Sequence, residues 1–225
     1  MHELNFLPKL CEMKKLVASW SKRLLSPAGK ITVIKSIILP KIIHLIIALP
    51  NPPSCYMKEL EQLFFNFIWN NKPPRVAKKC ITQNYEDGGL RMIDLNNLCT
   101  SLKITWIRRF LNYTSSWKSL LLSTLPKIEN IFLYGNMFTK VLSSCCTNLF
   151  WRDVFDALFK FRKIVETEVS ESVVQPIWYN ENFKINNNFF FMNAWLKKVF
   201  CMYMIFLVLM VKYCNMKIFV INLMY

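Results

Sequence analysis

Apolar residues recur at every third or fourth position along much of this chain, the spacing of helices that bury one face. Leu10, Met13, Val17, Trp20 and Leu24 form a first stripe, with Lys14, Lys15, Ser21 and Lys22 between them. Ser26, Pro27 and Gly29 interrupt it. Ile31, Ile34, Ile38 and Ile42 form a second stripe, with Lys30, Lys35 and Lys41 off that face. Pro40 removes an amide donor inside the second pattern and predicts a kink there or two abutting helices. Pro50, Pro52 and Pro53 end the segment. Met57, Leu60, Phe64 and Phe67, reinforced by Leu63 and Ile68, then predict a third helix closing near Trp69.

Residues 70–79 carry Lys72, Arg75, Lys78 and Lys79 with no acid and are broken by Pro73 and Pro74, which predicts a basic loop. Gly88 and Gly89 mark a tight turn. Asp94 is the expected N-cap of a fourth helix through Leu98, Leu102, Trp106 and Phe110. Beyond Tyr113 the signals weaken. Residues 116–125 and 148–165 are expected to be helical, the latter with Phe150, Val154, Leu158 and Phe161 on one side, and 176–185 reads as extended and aromatic. No internal repeat is present.

Composition narrows the picture. Hydrophobic residues make up 53% of the 225 residues, too many for a disordered tail. Only four glycines occur, so hairpin turns and phosphate loops are scarce and a mainly α fold is expected. Its expected parts are a helical bundle, a basic loop and a loosely packed helical region with a short β element. Twenty-nine Lys and Arg against 14 Asp and Glu give a net charge of +15, and the segment 1–50 holds eight basic and two acidic residues. Such a field attracts nucleic-acid phosphates or anionic lipid, and charge alone does not choose between them. Eight cysteines without a Cys-x-x-Cys, and no signal peptide read at the start, predict reduced thiols in the nucleus or cytosol.

Five motifs occur in order: W-S-K-R-L-L-S-P-A-G-K-I-T-V-I-K-S-I-I-L-P-K-I from Trp20, A-L-P-N-P-P from Ala48, L-F-F-N-F-I-W-N-N-K-P-P-R from Leu63, D-G-G-L-R-M-I-D from Asp87 and L-K-I-T-W-I-R-R from Leu102. Together this run resembles the region just downstream of the polymerase active site in reverse transcriptases of non-LTR (LINE-type) retrotransposons. The resemblance is dense to about Arg109 and thinner to about Lys198, through W-K-S-L-L, F-W-R-D-V and P-I-W-Y-N. It implies a helical thumb over 1–69 that closes on template and primer, a connecting region over 70–198, and an apolar tail over 199–225 that departs from the family pattern. It also implies RNA–DNA hybrid or duplex as partner, bound weakly and without sequence preference, and no small-molecule substrate.

A thumb holds its duplex through sugar and phosphate contacts, which suits Lys and Arg. The candidates are Lys22, Arg23, Lys30, Lys35, Lys41, Lys72, Arg75, Lys78 and Lys79, each weighed against an ordinary solvated surface cation. Ile31, Ile34, Phe64, Phe67, Ile68, Trp69 and Trp106 read as core. Polymerisation in the family needs aspartates that clamp two Mg²⁺ ions, including a paired Asp-Asp. The chain has no Asp-Asp pair, and Glu86-Asp87 lies in Y-E-D-G-G-L, which reads as a turn element. No polymerase activity, metal site or cofactor is therefore expected of it. Gly29-Lys30 lacks the upstream glycine of a phosphate loop, and two histidines cannot build a zinc knuckle. Asn112-Tyr113-Thr114 is a glycosylation sequon with nothing to send it to the secretory pathway.

The segment 199–211 holds thirteen residues without a charge, short of the ~20 that span a bilayer, and Lys212 and Lys217 interrupt its extension. An out-of-frame end of a decayed element accounts best for its Met, Phe and Tyr bias, ahead of a membrane anchor or a core helix. The competing readings of the whole chain are a basic membrane-associated protein anchored by 199–225 and a relic reading frame with no selected role.

Overall fold

The computed structural model describes residues 2–112, 116–125, 128, 131, 134–168, 176, 178–181 and 184–189. It is mainly helical, with nine α-helices among the described residues and one two-stranded antiparallel sheet near the C-terminus. The described residues fall into two compact units, divided between Leu102 and Lys103.

In the first unit α1 (His2–Ser21) buries Phe6, Leu10, Met13 and Val17. Leu24, the expected last member of that stripe, lies beyond the end of the helix and is fully exposed. Ser26 caps α2 (Pro27–Val33), its Oγ accepting from the Gly29 amide at 3.2 Å. The chain then widens into a π-helical turn (Ile34–Ile38) before α3 (Pro40–Ala48). Pro40 cannot donate to the preceding turn, and the axis bends by 50° at this break. Through the bend Ile34, Ile38, Leu39 and Ile42 all remain fully buried. The helix α4 (Ser54–Trp69) packs Leu60, Phe64, Phe67 and Ile68 into the same core. Asn70 ends it at φ 55°, a left-handed C-cap, and Asn71 follows at φ 57° with its amide bonded to the Asn66 carbonyl at 2.8 Å.

The core of this unit continues beyond Trp69. It takes in Ile81 of the short α5 (Lys78–Thr82), Met92, and Leu95, Leu98, Cys99 and Leu102 from the first turns of α6 (Leu95–Asn112). Asp94 is the N-cap of α6, its Oδ1 accepting from the amides of Asn96 and Asn97 at 2.9 and 3.0 Å. Truncating a fully buried side chain such as Leu60 to Ala is expected to cost about 2–5 kcal/mol.

The second unit has its own core, in which Ile104, Ile107 and Phe110 of α6 join Leu121 of α7 (Ser116–Thr124) and the packed pair α8 (Asn136–Cys145) and α9 (Leu149–Glu168). Asn148 caps α9 through the Phe150 amide at 2.9 Å. Arg162 is buried at 1% exposure and donates to the carbonyls of Ile131 at 2.6 Å and Tyr134 at 3.0 Å, so α9 gathers the chain leading into α8. The strands β1 (Lys184–Ile185) and β2 (Asn188–Phe189) pair Lys184 with Phe189 and Ile185 with Asn188. Asn186 and Asn187, at φ 51° and 64°, supply the left-handed two-residue turn between them. The tail 199–225 lies outside the described residues.

Candidate nucleic-acid interface

The nine candidate cations, all in the first unit, sort by what surrounds them. Lys30 is the outlier. Its side chain is 2% exposed and its ammonium donates to the carbonyls of Phe67 at 2.9 Å and Ile68 at 3.5 Å and to Asn70 Oδ1. These are last-turn and cap groups of α4, which otherwise lack helical partners. Burial pushes the Lys30 ammonium below the usual lysine range. The expectation that Lys30 faces a phosphate is thus corrected: its donors are spent inside the fold, where it fixes the helix end from which the basic loop departs.

Two more candidates are held by acids. Lys41 lies 3.3 Å from Glu12, tying α3 to α1, and Lys78 is ion-paired to Glu61 and lies 3.9 Å from Asp94. Lys9 also binds Glu12, at 2.8 Å, and these two lysines hold that carboxyl below the usual carboxylate range. Arg23 stacks its guanidinium 4.0 Å from the Trp20 ring centroid and stays exposed. Lys22, Lys72, Arg75 and Lys79 are exposed, and no described ion pair includes them. The loop expected over 70–79 ends at Ala77, because Lys78 and Lys79 begin α5, and the segment presents three cations outside the described ion pairs, Lys72, Arg75 and Lys79, with Lys78 set apart as the tether to α4 and to the α6 cap.

Lys35 differs again. It is half-buried within the π-helical turn, and burial, then the nearby charge of Arg91, lower its pKa. Sequence reasoning did not single out Arg91. Its backbone is in the left-handed region at φ 52°, and its guanidinium stacks 5.1 Å from the centroid of Tyr85. The turn that carries it is pinned on both sides: the amides of Leu90 and Met92 bond the Ile81 carbonyl at 3.1 and 2.9 Å, and that of Arg91 bonds Gln83 at 2.9 Å.

Glycine enforces the same turn. Gly88 has φ 75°, and a β-carbon on Gly89 would overlap the Gln83 carbonyl and lie 2.8 Å from the Cys80 oxygen. Glu86 and Asp87 form a 3₁₀ turn with Tyr85, and among the described residues no group of three or more His, Cys, Asp or Glu converges as a metal site. No single described helix is long and apolar enough to cross a membrane. The bent pair Pro27–Ile38 and Pro40–Ala48 meets that test by length and composition, and its Ile31, Ile34, Ile38, Ile42 and Ile46 are buried in the core of the first unit. No protein-family model matches the chain.

Proposed function

We propose that this chain is the thumb and connecting portion of a non-LTR retrotransposon reverse transcriptase, able to hold an RNA–DNA hybrid or duplex by its backbone and unable to polymerise. The observation that carries the reading is the ordered set of five motifs from Trp20 to Arg109. The basic loop 70–79 supports it. Three of its cations are exposed and free of described acids, while the loop itself is anchored at both ends. That arrangement suits sequence-independent phosphate contact, which needs positive charge on a fixed support and no base-reading surface.

The chemistry of polymerisation requires carboxylates that clamp two metal ions, and the paired aspartates of the family have no counterpart in this sequence. The chain's part in the intact enzyme is then positional, at the nicked DNA of an insertion site in the nucleus. Primer extension on an RNA template with Mg²⁺ or Mn²⁺ should give background incorporation, whereas a labelled hybrid should be retained in a salt-dependent manner. Incorporation that survives removal of contaminating polymerases, or no binding to hybrid or duplex at low salt, overturns the reading. The alternative of a basic membrane protein predicts instead that the full chain resists carbonate extraction and that the chain ending at Lys198 does not.

A further inference from the structure

In the second unit four aromatic side chains from three helices meet at the edge of the core: Trp106 of α6, Trp117 of α7, and Phe150 and Trp151 in the first turn of α9. The Trp106 centroid lies 5.8 Å from Trp117, 5.3 Å from Phe150 and 6.2 Å from Trp151, each ring nearly perpendicular to it, while Trp117 and Trp151 stack at 5.9 Å and 21°. All four are only partly buried, whereas Trp178 of the same unit is 2% exposed and Phe155, one turn along α9, is fully buried. The cluster thus leaves part of each ring in water although the unit closes over other rings of the same size. Its rim is basic. Arg108 and Arg152 are exposed, the Arg109 guanidinium lies 4.7 Å from the Trp106 centroid and the Lys118 ammonium 4.8 Å from that of Phe110. Lys103, fully buried 4.3 Å from the Phe150 centroid, backs that ring from inside. Helices α6 and α7 contain no acid, and the first two turns of α9 hold Asp153, partly buried, and Asp156, which accepts from Ser143. Glu166 and Glu168 lie at the far end of that helix. Four rim cations against two acids leave the surroundings of the cluster positive.

We propose that this cluster is a stacking platform for a single-stranded polynucleotide, its bases laid on the open parts of Trp106, Trp117 and Trp151 and its phosphates met by Arg108, Arg109, Lys118 and Arg152. Every base presents a π-face to an indole, so the contact needs no particular sequence. A complementary strand would cover those faces, so the platform takes unpaired strand. The positive surplus selects a polyanion over a neutral apolar peptide, and rings set among cations accept base and phosphate together. The inference rests on the function proposed above only in taking nucleic acid as the partner, and it adds a second surface, on the second unit, to the cations of the first.

The test is a fluorescence-anisotropy titration of the full chain with a labelled oligothymidylate, an abasic strand of the same length and an RNA–DNA hybrid. The abasic strand keeps every phosphate, so stacking predicts that it binds at least about fivefold more weakly than the oligothymidylate, the lower end of what one stacked base contributes. Oligothymidylate should also quench tryptophan emission, and quench it less in Trp117→Phe/Trp151→Phe, which keeps a ring at both positions. Arg108→Ala/Arg152→Ala removes two exposed cations. It should lower the log–log salt slope on the single strand by up to about 1.4, at 0.7 per contact, and leave the slope on hybrid as in the unmodified protein. Equal affinity for the abasic and the base-bearing strand overturns the platform, and so does a single-strand slope indifferent to the arginine pair. Salt-dependent retention of the hybrid in either case leaves the broader function standing. Absence of binding to all three probes by the unmodified chain sinks both the platform and the nucleic-acid reading.

Discussion

The Lys30 ammonium donates a 2.9 Å hydrogen bond to the carbonyl of Phe67, across 37 residues of sequence, and so joins the last residues of α2 to the end of α4. The cation is desolvated, which opposes its charged form, but three oxygens surround it and the helix end would otherwise keep orphan carbonyls. One ammonium serving several otherwise unpaired acceptors offsets part of that burial cost. Lys30→Met keeps the length of the stem and removes every donor. It should lower stability by about 1–3 kcal/mol, read as a lower urea midpoint at unchanged m-value. The salt slope of nucleic-acid binding should stay as in the unmodified protein. A slope lower by about 0.9 would return Lys30 to the phosphate contacts.

Gly88 and Gly89 are adjacent yet should differ in what they tolerate. A β-carbon on Gly88 meets nothing within 4 Å but must adopt φ 75°, a conformational cost of about 1–2 kcal/mol. On Gly89 the same carbon overlaps the Gln83 carbonyl, so the turn carrying Tyr85 and Arg91 has to open. Gly88→Ala should therefore fold and bind nucleic acid with a modestly reduced midpoint. Gly89→Ala should lose more stability, about 3 kcal/mol or above. Equal midpoints for the two variants would show that the 83–89 backbone yields freely.

The helices of the first unit were legible because their apolar stripes are long and their ends carry ordinary signals: Pro40 at the bend, Asn70 after Trp69, Asp94 before Leu95. Leu24 was misplaced because the stripe continues in the sequence after the helix has ended at Ser21. The helix α8 was missed because its buried side holds Asn136, Thr139 and Ser143 among Phe138 and Leu142, which blurs the apolar period. Ser143 bonds Asp156 on α9 at 2.5 Å, a partner no local pattern announces. In the candidate interface a lysine reads alike whether exposed or buried. What separates Lys30, Lys41 and Lys78 from Lys72, Arg75 and Lys79 is a carbonyl or carboxylate brought up by folding. Arg91 stayed hidden for the opposite reason, since one arginine after a glycine pair looks like an ordinary turn residue.

Glu12 gives a pH dependence with a definite sign. The hydrogen bond from Lys9, then that from Lys41, lowers its pKa beneath the ordinary value of 4.5. A carboxyl with a lower pKa folded than unfolded adds stability above the unfolded value and loses it as pH falls through the folded one. Glu12→Gln should thus lower the urea midpoint at neutral pH, and its difference from the unmodified protein should vanish as pH falls below 4.5 through the folded value. An NMR titration of the Glu12 carboxyl should move toward 4.5 in Lys9→Ala, and by less in Lys41→Ala. A titration midpoint unmoved by either substitution would mean that both ion pairs are open in solution.

The four cations of the segment 70–79 should separate by experiment as they do by environment. Lys72, Arg75 and Lys79 are exposed and outside the described ion pairs, whereas Lys78 meets Glu61 and lies 3.9 Å from Asp94. If the first three each neutralise one phosphate, changing them together to Ala lowers the log–log salt slope on duplex by up to about 2.7, at 0.9 per contact. Stability should barely change, because no acid is left behind. Lys78→Ala should do the reverse. Its partly exposed ion pairs contribute at most about 1 kcal/mol, so the midpoint falls slightly while the slope stays within a few tenths of the unmodified value. Measured slopes that fall equally for all four single substitutions would show that Lys78 leaves its acids to bind phosphate. A slope indifferent to the triple substitution would remove the loop from the interface altogether.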